Sequence, residues 1–359
     1  MRRHPLSNGC GLETPDSAAH PRSTSLTNNP RKNPVPMRTS RTVAAAALAA
    51  ASLSTFVLAG CSSDSGGGGD KKLAFIQGVS GDEFYISMQC GIQDAAEAAG
   101  YTVDVQGPAK FDPTLQKPIV DSVVASRPAA ILIAPTDVSA MQAPLDAAAQ
   151  AGIKVVLVDT TLEDPSKAVS AISSDNVGGG AEAFKAIEQL NPQGGKVIVI
   201  STDPGVSTTD ARVKGFEDAA AENSSFQYLG VQYSHNDPAE AARLISAAIA
   251  KDPDIVGVFA TNTFAAEGTA TGVRQTGKQD QVKIVGFDAG PAQVKQLREG
   301  TVQALIAQQP ATIGTDGVEQ AVASLEDKAT EKDISTGFHV ITADTIDGDG
   351  AQYVYKSAC

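Results

Sequence analysis

Eight short apolar runs, each separated from the next by a longer stretch of helical period, constrain this chain more than any other feature. The runs occupy 73–76, 101–105, 130–133 and 154–158, then 196–200, 226–231, 255–259 and 282–285. Each is four to six residues long and rich in β-branched types. Runs that short and that apolar read as strands buried on both faces, as in a parallel sheet. Between them the period changes. Phe84, Met88, Ile92, Ala95 and Ala99 share one helical face, and Gly100 follows as a stop. Asp237-Pro238 opens a further helix that turns Leu244, Ile245 and Ile249 inward. Strand alternating with helix means βαβ units with right-handed crossovers.

The pattern runs twice, over about 72–175 and about 195–308. Each pass has a strand ending in a polar loop, Ala134-Pro-Thr-Asp137 and Ala260-Thr-Asn-Thr263. Each also has a strand ending in an acid, Leu157-Val-Asp159 and Gly286-Phe-Asp288. Two doubly wound α/β domains facing one another are expected. A C-terminal helix over about 313–325 either completes the first or extends the second.

Residues 43–60 carry no charge, and Arg38 and Arg41 precede them. A basic start, an apolar middle and a small-residue end describe a secretory leader. The competing reading is a membrane anchor, which the many small alanines make weakly hydrophobic. Leu58-Ala59-Gly60-Cys61 resembles the bacterial lipobox, which implies that Cys61 is lipidated and begins the mature chain. The expected layout is therefore a disordered or mis-assigned start over 1–36, a lipoprotein signal peptide over 37–60 and a flexible linker over 61–70. The globular part then works outside the cytoplasm, lipid-anchored to the membrane. From Cys61 onward 21 basic residues face 39 acidic ones. That balance argues against nucleic acid as a partner.

In open α/β sheets ligands bind beyond the carboxyl ends of the strands. The residues expected there include Asp82, Phe84, Tyr85, Asp159, Thr160, Arg212, Asn236, Asn262, Phe287, Asp288 and Gln308. Aromatic rings stack on the C–H faces of a sugar, while carboxylates, amides and an arginine pair with its hydroxyls. A small neutral polyhydroxyl ligand fits this set. The competing roles are local. Asp82 is as readily the N-cap of the next helix as a ligand group, and it can be both. Asp137 reads as a cap alone. Phe84 and Tyr85 point in different directions on a helix, so at least one is expected to be exposed.

Enzyme signatures are absent from the sequence: there is no Gly-x-Ser-x-Gly, no His-Glu-x-x-His and no Gly-Lys-Ser/Thr loop. Gly178-Gly179-Gly180 lacks the spacing of a dinucleotide fingerprint, and no Cys/His cluster points to zinc. No cofactor or metal is expected. His235 and His339 are isolated in the sequence. Cys90 and Cys359 form an even pair in an oxidising compartment, so a disulfide between them is expected.

Over about 72–343 the chain resembles the ribose- and galactose-type periplasmic sugar-binding proteins of ABC importers. The resemblance rests on Asp175-Asn176 before a glycine-containing helix start, Arg212-Val-Lys-Gly215-Phe216, Gly286-Phe-Asp288 and Ile306-Ala-Gln308. It implies two Rossmann-like lobes joined by three crossing strands near 175, 308 and 337, and the C-terminal helix then returns to the first lobe. The first lobe would hold 71–175 and 309–337, the second 176–308 and 338–346, and 347–359 would return to the first. It also implies a monomer that delivers its ligand to the membrane permease. The family's asparagine falls on Asp82, the arginine of its Asp-Arg pair on Thr160, its second arginine on Arg212 and one aromatic wall on Asn236. With less stacking area and more acceptors, a pentose, a furanose or a short sugar alcohol is expected. Other readings left open are a receptor for a sugar-like signalling molecule, a binding protein for an amino acid, and an extracytoplasmic enzyme on the same scaffold.

Overall fold

The computed structural model describes residues 71–359. Cys61, the leader and the linker lie outside the described residues. Two six-stranded sheets form two lobes. In the first lobe β1 (Lys72–Ile76), β2 (Thr102–Gln106), β3 (Ala130–Ile133), β4 (Lys154–Val158) and β5 (Ser170–Ser174) join β11 (Asp333–Thr336) in the order β11-β5-β4-β3-β1-β2. All five pairings are parallel. In the second, β6 (Gly195–Ser201), β7 (Phe226–Tyr233), β8 (Ile255–Ala260), β9 (Lys283–Phe287) and β10 (Ala304–Ala307) join β12 (His339–Thr342) in the order β12-β10-β9-β8-β6-β7. The two orders match position for position. The exception in direction is β12, which runs antiparallel to β10.

The alternation of side chains along β1 explains the layering. Leu73 and Phe75 pack on one face with Met88 and Ile92 of α1 (Glu83–Ala98) and Ile313 of α9 (Pro310–Leu325). Ala74 and Ile76 pack on the other with Val120 and Val123 of α2 (Pro113–Ser126) and Leu145 of α3 (Gln142–Gln150). Both faces are dry, which is why the run shows no polar alternation. The second lobe repeats the arrangement. Val197, Val199 and Phe259 meet α4 (Asn176–Leu190) and α5 (Ser207–Glu222), while Ile198, Ile200 and Val258 meet α6 (Pro238–Lys251), α7 (Thr263–Gln275) and α8 (Pro291–Arg298).

Burial on both faces fails at β2 and β7. Both lie at open sheet edges and are largely half-exposed. Four strands lie outside the eight apolar runs: β5, β10, β11 and β12. β5 reads Ser-Ala-Ile-Ser-Ser and alternates buried with half-buried residues.

The chain passes between lobes three times. β5 leads into α4, β10 leads into α9, and β11 leads through Gly337 and Phe338 into β12. After β12 a short 3-10 helix, Asp349–Tyr353, precedes a tail whose Cys359 is bridged to Cys90. Cys90 lies in the middle of α1. Among the described residues no helix is long and apolar enough to cross a membrane, and no cluster of three or more His, Cys, Asp or Glu could hold a metal ion.

Candidate functional site

The carboxyl ends of the strands of both sheets converge on one narrow cleft. Its lining includes Asp82, Phe84, Tyr85, Asp159, Arg212, Asn236, Asn262, Asp288 and Gln308.

Two acids mark the internal duplication. Asp159 follows β4 with φ +66°, and Asp288 follows β9 with φ +79°. Each backbone N–H bonds across to the neighbouring strand, Asp159 to the Ile172 carbonyl and Asp288 to the Ile306 carbonyl, both at 2.8 Å. A left-handed aspartate is a strained choice that the surrounding ladder enforces. It turns the carboxylate off the strand axis and into the cleft.

Their surroundings then diverge. Asp288 is saturated: Oδ1 accepts from Gln308 Nε2 at 2.7 Å and the Tyr355 hydroxyl at 3.0 Å, and Oδ2 accepts from the Thr263 amide at 3.0 Å. Asp159 Oδ2 accepts from the Tyr85 hydroxyl at 2.8 Å, and Oδ1 has no donor among the described residues. Asp82 Oδ1 caps α1 by accepting from the Phe84 amide at 3.0 Å. Its Oδ2 has no donor among the described residues. Asp82 therefore starts the helix and also lines the cleft.

Burial sets the proton affinities. Asp82 is pushed up to about 8, first by burial and then by the charge of Asp288. Asp159 is raised to about 6 by burial, against the pull of Arg212 and the Tyr85 hydrogen bond. Burial also drives the Tyr85 and Tyr355 hydroxyls well above the usual tyrosine range, so both act as donors.

Arg212 is the cation of the cleft and is 2 % exposed. Its Nε donates to Asn176 Oδ1 and its Nη1 to the Thr261 carbonyl, both at 2.8 Å, and its guanidinium carbon lies 3.8 Å from the centre of the Phe287 ring. Two of its five N–H groups are thus fixed in place and the others remain for the cleft. Asn176 belongs to the Asp175-Asn176 pair at the start of α4, so that motif holds the arginine.

Several expected residues sit elsewhere. Phe287 is fully buried beneath Arg212 and does not line the cleft. Thr160 turns away from it and donates to the Pro135 carbonyl at 2.7 Å. The left-handed turn at Asp159 sends its successor to the far side. Phe84 and Tyr85 are both buried, contrary to the expectation that one is exposed: Phe84 packs against Tyr85 and Tyr355, and Tyr85 reaches Asp159. Asn262 Oδ1 caps α7 and its Nδ2 donates to Asn236 Oδ1 at 2.7 Å. Asp137 caps the turn after β3 through the Ser139 and Ala140 amides.

The sequence did not single out Phe111 or Tyr355. Phe111 stands just before Asp112-Pro113, in a loop at the carboxyl end of β2, so its position was a usable signal. Tyr355 carried none. Across the cleft Val138 N–H donates to the Gly205 carbonyl at 3.2 Å and Thr161 N–H to the Ser207 hydroxyl at 3.0 Å, which holds the lobes together.

A model of the periplasmic binding protein domain matches residues 73–329. The chain is 30% identical to the ribose import binding protein of Bacillus subtilis over 292 residues, covering 79% of this chain and 94% of that one. It is 32% identical to the ribose import binding protein of Escherichia coli over 249 residues, 69% of this chain and 83% of that one. Among solved structures, an ABC transporter solute-binding protein from Agrobacterium vitis bound with α-D-tagatopyranose superimposes with TM-score 0.77 at 39% identity. It spans 79% of this chain and 99% of that one. Fold, cleft and these relatives agree: the chain belongs to the periplasmic binding protein family, and its relatives there include ribose-type sugar-binding members of ABC importers.

Proposed function

We propose that this protein captures a small neutral sugar or sugar alcohol between its lobes, outside the cytoplasm, and delivers it as a monomer to the permease of an ABC importer. One observation carries the reading. Asp82 Oδ2 and Asp159 Oδ1 are carboxyl oxygens without a hydrogen-bond partner among the described residues, on side chains 5 % exposed, and they share a cleft with the remaining N–H groups of Arg212. Such oxygens call for a ligand rich in hydroxyls, which donate to a carboxylate, accept from a protonated carboxyl and offer acceptors to the arginine. Phe84, Tyr85 and Phe111 supply apolar wall for the C–H faces of a ring. As in its relatives named as binding proteins, the ligand is held and released unchanged. Pentoses, furanoses and pentitols remain in the ligand class. Relatives described with tagatopyranose and D-fucose add hexoses to it.

The test is a thermal-shift panel with D-ribose, D-allose, D-tagatose, D-fucose, D-arabinose and pentitols. A bound sugar at about a hundred times its Kd adds about 2.7 kcal/mol to stability and raises Tm by several degrees. A panel that leaves Tm unmoved throughout would overturn the proposal. Cys61 is proposed as the lipid anchor on the strength of Leu58-Ala59-Gly60-Cys61. Cells producing Cys61→Ser should release the protein from the membrane fraction; a variant that stays membrane-bound to the same extent would remove the anchor from the proposal.

A further inference from the structure

Tyr355 is buried at the back of the cleft, on a tail that touches both lobes. Its hydroxyl donates to Asp288 Oδ1 at 3.0 Å and accepts from the Gln308 amide at 3.0 Å. One O–H and one lone pair serve both bonds without conflict. Its ring centre lies 5.9 Å from that of Phe84 in α1. The tail around it alternates between lobes. Tyr355 N–H donates to the Ala289 carbonyl of the second lobe at 3.0 Å, and Lys356 N–H donates to the Ser87 hydroxyl of α1 at 2.7 Å. Four residues after Tyr355, Cys359 is covalently joined to Cys90 of α1. The three crossing strands are therefore joined by a fourth connection, and this one passes beside the ligand groups. Four residues of extended chain reach at most about 14 Å. Lobe opening beyond that reach at the tail pulls Tyr355 off Asp288.

We propose that Tyr355 is a positioning residue that sets the Asp288–Gln308 pair for ligand, and that the Cys90–Cys359 bridge keeps it there by binding the tail across both lobes. The ligand half of this inference rests on the sugar-capture reading; the positional half does not.

The experiment compares wild type, Tyr355→Phe and Cys359→Ser in two measurements. The first is affinity for whichever of D-ribose or D-tagatose stabilises the wild type. The second is single-amide hydrogen exchange in the ligand-free proteins, read at Thr263. The Thr263 amide bonds Asp288 and does not touch Tyr355, so its protection changes only if the carboxylate moves. The Gln308 amide loses its partner directly and serves as the control. Tyr355→Phe should weaken sugar binding roughly tenfold, as for loss of one hydrogen bond to a charged group, and should speed exchange at Thr263. Cys359→Ser should do both to a smaller degree. Dithiothreitol should reproduce that effect on wild type, its two thiols giving two electrons and two protons to the bridge and closing into their own disulfide. Reoxidation should reverse it. Wild-type exchange at Thr263 in Tyr355→Phe overturns the positioning role. Wild-type exchange in both Cys359→Ser and the reduced protein overturns the role of the bridge. If neither sugar binds wild type, the choice of sugar fails by itself, and Thr263 still decides the inference.

Discussion

At the scale of single residues the cleft is governed by three buried carboxylates and one guanidinium. Asp288 is solvated by protein donors, Asp159 is answered partly by Arg212, and Asp82 has no cation nearby among the groups that shift it. That ordering has a pH consequence. Asp82 titrates near 3.8 in the unfolded chain and at about 8 in the fold. Between those values the folded state keeps a proton that the unfolded chain has lost, so stability falls as pH rises from about 4 to about 8 and then levels. Asp159, raised to about 6, contributes the same sign up to that pH. In the ligand-free protein Asp82→Asn should flatten the decline in Tm between about pH 5 and pH 8; an unchanged slope would put the titration on other groups. The main acids and Arg212 were legible in the sequence because strand ends and helix starts are where a doubly wound sheet meets its ligand. Thr160 and Phe287 were misplaced for a physical reason. They adjoin the two left-handed aspartates, and no local pattern shows which side of such a turn a neighbour takes. Tyr355 was invisible because its place depends on a tail path fixed from Cys90, far away in sequence.

Elements carry the precision of the site. Arg212 reaches Asn176 only because α4 and α5 approach with almost no side chain between them. A Cβ on Gly180 would stand 2.0 Å from the Arg212 carbonyl, and one on Gly215 would stand 2.0 Å from the Val177 carbonyl. The two glycines interlock, so the Gly178-Gly179-Gly180 run and the Arg212-Val-Lys-Gly215 motif are two halves of one helix contact. Gly180→Ala should cost about 1–3 kcal/mol, as overpacking does, and should weaken sugar binding by displacing Arg212. A normal Tm together with normal affinity would show that the helices can separate freely. The central strands β1, β3, β4, β6, β8 and β9 were legible as apolar runs. β5, β11 and β12 were not, because they are polar and only partly buried, and β10 was not, because Ala-Leu-Ile-Ala is too short to stand out.

For the whole molecule, each lobe borrows its last pieces from beyond the other. The first lobe needs α9 against α1 and β11 beside β5, and both follow the entire second-lobe core in sequence. Residues 71–175 produced alone should therefore lack a cooperative thermal transition by circular dichroism, whereas 71–359 should melt in one; a cooperative melt of the fragment would show that the first lobe is self-sufficient. The same threading puts a clock on biosynthesis. A chain made from its N-terminus cannot finish its first lobe until Thr336 has appeared, and Cys90 must wait for Cys359. Until the last residues are made, the first lobe lacks its edge strand and the tail its covalent tie, so the finished fold belongs to the complete chain alone.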